Sequence, residues 1–199
     1  MKLILPAMAL AVAMFLTWTI MTPVPAVTGG EEDDAKSVEE SFDFTGVKKC
    51  KICHKTEKSG DQFGIWEKSA HASAYATLAT DEAKEIAAKR DLGDPQKAPE
   101  CLRCHVTAFP VLDNIGEEKI TLEEGVSCES CHGPGSGYWK KKTMEAITAG
   151  ELDAATVGLM LPEPDDCLAC HNEDSPTFKA FDYEERWAAI AHPIPAEGD

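Results

Sequence analysis

Eight cysteines fall into four pairs of one spacing, and a histidine follows the second member of every pair. The sets are Cys50/Cys53/His54, Cys101/Cys104/His105, Cys128/Cys131/His132 and Cys167/Cys170/His171. With six histidines in 199 residues, filling all four slots by chance is about a one-in-a-million event, and C-x-x-C-H is the attachment signature of c-type haem. Two thiols at that separation each form a thioether to a vinyl group on one porphyrin edge, while the adjacent imidazole reaches beneath the ring to the iron. The pattern predicts four covalently bound c-type haems. The eight cysteines are their attachment points, and His54, His105, His132 and His171 their proximal iron ligands.

Other uses of paired cysteines fit less well. Two C-x-x-C pairs can close a four-cysteine zinc site, but zinc ribbons do not require a histidine after every second cysteine. Disulfides suit an exported chain, yet four repeated C-x-x-C-H loops are not a usual disulfide framework. Iron–sulfur ferredoxins space their cysteines differently and have no need of the histidines.

Each iron keeps a second axial position, and only His71 and His192 remain to fill four of them. Both stand among small residues, Ala70-His71-Ala72 and Ala188-Ala189-Ile190-Ala191-His192, where a helix can approach a haem face closely. They are expected as distal ligands. For the other two irons the candidates are Met144, Met160 and Lys140, Lys141 and Lys142, although a methionine in an apolar stretch is usually core and a lysine run is usually solvated. An iron left open would bind water, nitric oxide or another small molecule.

The elements that must carry these groups read as short helices broken by Pro and Gly. Gly64 to Leu78 is rich in small residues, and Thr80 can cap a helix running to about Arg90. Thr143 to Leu159 reads as weaker helix interrupted by Gly150 and Gly158, with Pro162-Glu163-Pro164 as a stop. A last helix from about Asp182 to Ala191 ends where His192 precedes Pro193. Only Glu118 to Gly125 suggests a short strand. The fold expected is mainly α with little β, compact, its short helices and loops wrapped around four haems. The first cysteines are unequally spaced, so it is not a solenoid.

Residues 1–26 carry one charge, Lys2, then an apolar run to Met21 and the segment Thr22-Pro23-Val24-Pro25-Ala26. This is expected to be an export signal or, since the run approaches the length of a membrane span, an N-terminal anchor through residues 1–21. Residues 27–43 hold seven acidic residues and two glycines near the start and read as a flexible acidic linker. A tetrahaem domain follows over 44–195. Either fate of the leader places that domain outside the cytoplasmic membrane, in the periplasm.

A net charge of −16 makes nucleic acid an unlikely partner. A hydrophobic content of 43% allows a core, while aromatics at only 7% leave room for porphyrins to supply much of the buried apolar area.

Taken together, the motifs resemble those of the tetrahaem cytochrome c-554 family. The resemblance rests on Lys48 to His54, then Trp66 with Ser69-Ala70-His71-Ala72. It continues with Cys101 to Val106, with Gly125 to Gly135 including the Gly133-Pro134-Gly135 turn, and with Cys167 to His171. It implies a mainly helical fold with partly stacked haem pairs, His71 as distal ligand to the third-motif haem, His192 to the fourth, and a five-coordinate second-motif haem. Where the family has a further distal histidine after the Gly-Pro-Gly turn, this chain has Lys140 to Lys142 and Met144. The first haem is then served by Lys142, by Met144 or by nothing. The family's basic character is absent too, so hydroxylamine oxidoreductase is not carried over as a partner.

The function expected is electron carriage between respiratory redox partners that present a basic docking patch, without a substrate of the protein's own. The alternative is reduction of nitric oxide or a related nitrogen species at a haem with an open axial site.

Overall fold

The structure is a computed structural model and describes residues 41–115 and 119–194. The apolar leader 1–26 and the acidic stretch as far as residue 40 lie outside the described residues. No helix among those described is long and apolar enough to cross a membrane.

The described chain is helical, in short pieces, with no strand. The helices are α1 (Val47–His54), α2 (Gln62–Glu67), α3 (Ala74–Thr77), α4 (Asp81–Lys89), α5 (Pro99–His105), α6 (Cys128–His132), α7 (Lys141–Thr148), α8 (Pro164–Leu168) and α9 (Tyr183–Ile190). The Thr80 hydroxyl accepts from the Ala83 amide and starts α4, and Asp182 does the same for α9 through the Glu185 amide. Two expectations need correction. The stretch from Gly64 to Leu78 is not one helix but α2, a turn carrying His71, and α3. The suggested strand ending at Gly125 is a 3-10 turn over Leu122–Glu124, closed by Gly125 at φ +61°, a left-handed backbone that an alternating pattern cannot foretell. Phe42 and Asp43, which the charge pattern assigns to the linker, belong to the folded body: Asp43 and Ser136 exchange two hydrogen bonds of 2.8 and 3.0 Å.

Three of the C-x-x-C-H motifs close a helix, and the fourth begins in α8 and finishes in the turn after it. This suits the chemistry, because positions i, i+3 and i+4 share one helix face, so both sulfurs and the imidazole leave the backbone on the same side. Such helices are too short to hold themselves, and their ends must be tied down from elsewhere.

The principal tie is Glu129, the residue between Cys128 and Ser130 inside the third motif. It is 3% exposed. Its carboxylate accepts from the Thr45 amide (2.9 Å), the Thr45 hydroxyl (3.2 Å), the Gly46 amide (2.8 Å) and the Gly135 amide (2.6 Å). Glu124, also buried, accepts from the Val47 amide at 2.8 Å. Together the two carboxylates satisfy the orphan amides at the start of α1, which has no side-chain cap of its own. The Gly-Pro-Gly turn is thereby explained: a Cβ at Gly135 would stand 2.7 Å from the Thr45 hydroxyl and 2.9 Å from the Glu129 carboxylate. The close approach that this turn permits is to the Thr45 hydroxyl and the Glu129 carboxylate.

A second tie is Thr107, just beyond the second motif. Its hydroxyl accepts from the Ser127 amide (2.7 Å) at the start of α6, donates to the Gly125 carbonyl (3.1 Å) and meets the Ser130 hydroxyl (2.6 Å). Apolar packing is sparse beside this polar bracing. One small cluster of Leu78, Leu102 and Val106, with Tyr75, Phe109, Leu112 and Leu122 against it, joins α3 and α5. The ion pairs found, such as Arg103 with Asp174 at 3.0 Å, are solvent-exposed and contribute little.

Glu129→Ala leaves four buried donors without an acceptor and is expected to cost about 3 kcal/mol or more, whereas Glu129→Gln, which keeps one acceptor oxygen, costs less; urea unfolding of the haem-loaded protein measures both. A pH effect follows from Glu124. Burial holds its carboxyl above the ordinary range, outweighing the pull of the Val47 amide and aided by the charge of Glu129. A carboxyl whose folded pKa is raised supports the fold most fully below the unfolded value of about 4.3, and loses that support as pH rises through the folded value. The stability of the wild type relative to Glu124→Gln should therefore fall as pH rises above about 4.3.

Candidate functional site

All eight cysteines are free thiols, and seven are half-buried while Cys53 is exposed. Among the described residues no three His, Cys, Asp or Glu side chains converge as a metal cage. The sulfurs meet in pairs drawn from different motifs instead. Cys50 of the first motif lies beside Cys128 of the third, close enough for the two thiols to perturb each other, and Cys170 of the fourth lies beside Cys104 of the second. Cys131 of the third lies within electrostatic reach of Cys167 of the fourth. The motifs thus follow the spatial order first, third, fourth, second, a succession that the chain order conceals.

The six histidines sort into two facing pairs and two singles. His71 faces His171, with ring centres 6.0 Å apart, and His192 faces His132 at 5.8 Å. Two imidazoles on opposite sides of one metal ion, each bonded at about 2 Å, have ring centres about 6 Å apart. Both distances match, and the rings of each pair are tilted against each other rather than stacked. His71 thus lies opposite the histidine of the fourth motif and His192 opposite that of the third, whereas the family resemblance implies His71 for the third-motif haem and His192 for the fourth. His54 and His105 have no histidine opposite them, the other four being taken.

The backbone orients the proximal rings through their second nitrogen. His105 Nδ1 lies 2.7 Å from the Ala74 carbonyl, His132 Nδ1 3.0 Å from the Met160 carbonyl, and His54 Nδ1 3.2 Å from the Gln62 side-chain oxygen. A proton held on Nδ1 leaves Nε2 with its lone pair, which is the ligating form. Burial pushes His71, His171 and His192 down from the ordinary imidazole range, and charges nearby act in the same sense: His171 on His71, Arg186 on His171, His132 on His192. Neutral imidazole is again the form that binds a metal.

Distal positioning is equally specific. The His71 carbonyl accepts from the Val126 amide (3.0 Å), and the Trp66 indole donates to the Val126 carbonyl (2.8 Å). This holds the turn that carries His71 against the entry to α6. His192 follows α9, and the Gln62 amide donates to the Pro193 carbonyl at 3.1 Å. Gln62 therefore links the first motif's imidazole to the segment that bears His192.

The remaining candidates stand elsewhere. Lys140 precedes α7, Lys141 and Lys142 are exposed in its first turn, and Lys141 pairs with Glu145 at 3.4 Å. Met144 lies half-buried on the same helix. Met160 braces His132, receiving on its carbonyl and donating from its amide to the His132 carbonyl at 3.0 Å.

Residues of the second, third and fourth motifs, with His71, line a cavity of about 1840 Å³. Protein interiors rarely contain voids larger than a water molecule, and small-molecule pockets run to roughly 1,000 Å³. The space fits more than one group of porphyrin size. The Ser69 hydroxyl, buried and without a hydrogen-bond partner, borders it and is free to donate to a carboxylate on such a group. The thiols, the facing imidazoles and the cavity all fit covalent haem.

Sequence reasoning missed Glu129, Thr107 and Gln62. The one signal for Glu129 is an acidic residue between the cysteines of the third motif, where the other motifs have Lys51-Ile52, Leu102-Arg103 and Leu168-Ala169.

Residues 49–133 match the family described as cytochrome c554 and c-prime. Cytochrome c-554 of Nitrosomonas europaea is 33% identical over 140 residues, which is 64% of this chain and 57% of that relative. The chain thus spans somewhat over half the length of the curated relative it matches. No solved structure matches. The resemblance read from the motifs is borne out over this stretch of the chain.

His71→Ala and His192→Ala should each convert one low-spin haem to high-spin in the electron paramagnetic resonance spectrum, at an unchanged haem count, with added imidazole restoring the low-spin signal. A spectrum identical to wild type in either variant would remove that histidine from the ligand set.

Proposed function

We propose that this protein is an exported multihaem c-type cytochrome that carries electrons between respiratory redox partners. Four covalent haems attached at the eight cysteines would supply one-electron iron chemistry. The observation that carries this reading is the succession of motifs in space, with cysteines of neighbouring motifs close together and two pairs of imidazoles facing each other across a metal-sized gap. The similarity to cytochrome c-554 supports it.

The chain's own residues divide the labour. Thioether-forming cysteines fix each porphyrin edge. The carbonyls of Ala74 and Met160 and the side-chain oxygen of Gln62 hold the imidazoles of His105, His132 and His54 in one tautomer, so that little reorganisation would accompany a change of charge at the metal. His71 and His192 close two axial positions. Around the fourth motif Glu163, Asp165, Asp166, Glu173, Asp174, Asp182, Glu184 and Glu185 crowd a stretch that has only Lys179 and Arg186 as cations. That face suits a partner with a basic patch.

A second reading is favoured by one observation: His105 has no histidine opposite it and borders the large cavity. That is the place for a small molecule to reach an iron, and reduction of nitric oxide or a related species there is the competing function.

Purified holoprotein should contain four haems and should be fully reduced and reoxidised by protein partners or small redox mediators. Nitric oxide added to the reduced form should bind at most stoichiometrically. Sustained, multiple-turnover consumption of nitric oxide would put the enzyme reading in first place.

A further inference from the structure

For all its net negative charge, the molecule has one markedly basic region, and it surrounds the first motif. Between residues 46 and 58 there are five lysines, Lys48, Lys49, Lys51, Lys55 and Lys58, against the single acid Glu57. All five are exposed. On α1 and its C-terminal cap, Lys48, Lys51, Ile52 and Lys55 fall within about 100° of one helix face. Ile52, 64% exposed, stands in the middle of the lysines. Lys49 extends the region, because its ammonium lies 4.6 Å from the ring centre of the half-exposed Trp139, which leads into Lys140 to Lys142.

A second observation gives this face a redox meaning. Of the eight attachment cysteines only Cys53 is exposed, and it lies on α1 beside Ile52. The first motif also stands at one end of the spatial succession, in contact with the third through Cys50 and Cys128. The attachment edge of the first motif, at the end of the row, would thus lie next to this basic region, with Lys49 the nearest of the lysines to Cys53 around the helix.

We propose that the α1 face is a docking port for an acidic redox protein, one that presents carboxylates around its own electron-transfer centre. The inference rests on the electron-carrier reading and deepens it. The chain carries two ports of opposite charge, a basic one at the first haem and an acidic one around the fourth motif, so that donor and acceptor bind different faces. An ion-paired ring with a small apolar centre aligns a partner without binding it tightly, and the attraction weakens with salt. Transfer at this port moves one electron from a ferrous haem to the partner's oxidised centre. No bond is made or broken and no proton moves.

The test uses haem-loaded protein and the triple variant Lys48→Glu/Lys51→Glu/Lys55→Glu, none of whose residues attaches or ligates haem. Calorimetry at low ionic strength with an acidic plant-type ferredoxin as probe should show binding to the wild type, lost in the variant and in high salt. In stopped flow, oxidation of the reduced protein by ferricyanide should slow as salt rises, although the net charge predicts the opposite. The variant should react about tenfold or more slowly at low salt, while oxidation by cationic hexaammineruthenium(III) is not slowed. Identical ferricyanide kinetics in the two proteins would overturn the port while leaving the carrier reading intact. A protein that neither oxidant reoxidises would fail the carrier reading itself. Wild-type binding to phosphatidylglycerol vesicles but not to ferredoxin, lost in the variant, would make the face a membrane contact and overturn the assignment to a protein partner.

Discussion

The arrangement depends on a carboxylate buried inside a haem-attachment motif. Glu129 reaches out of α6 to gather the amides of Thr45, Gly46 and Gly135, and so fixes two things at once: where α1 begins and how the chain leaves the third motif. A buried charge is costly unless its lone pairs are filled. Here four donors fill them, and the cost of leaving any of these groups unpaired is what makes the junction specific. Once α1 is anchored on α6, Cys50 and Cys128 must meet. The first and third motifs then form one unit.

The rest of the body is held in the same manner, by polar bridges between motifs rather than by a broad apolar interior. Thr107 ties the second motif to α6, and Trp66 and Val126 lock the turn of His71. Among the described residues Leu78, Leu102 and Val106 form one small buried apolar cluster. A chain of this length with so small a cluster needs other apolar surface to bury, and porphyrins held by the motifs would provide it. Structure and cofactor are thus interdependent: the groups that bind haem also border the space that haem fills.

Function follows from what is closed and what is left open. His71 faces His171 and His192 faces His132, at the two motifs in the middle of the row, while His54 and His105, at its ends, have no facing imidazole. Charge is divided along the same line, with lysines around the first motif and carboxylates around the fourth. Facing imidazoles at the central motifs would favour electron passage with little rearrangement, and ends that differ in charge would favour different neighbours.

Much of the chemistry was legible in the sequence, because covalent attachment is a local matter. Cysteines at i and i+3 with histidine at i+4 define a haem site within five residues, and no distant contact is needed to recognise it. The mainly helical fold, the Thr80 and Asp182 caps and the importance of His71 and His192 were legible for the same reason, resting on residues close together in the chain. The partners of those two histidines were not. Which ring faces which is decided by how the turn after α2 docks on Val126 and how the end of α9 docks on Gln62, contacts spanning 55 and 131 residues of chain. Local pattern carries no information about them. The order first, third, fourth, second was likewise hidden, since it follows from Glu129 drawing together segments more than eighty residues apart. Sequence determined which atoms bind; only the tertiary structure, through long-range hydrogen bonds to buried polar groups, decided which of them share a site.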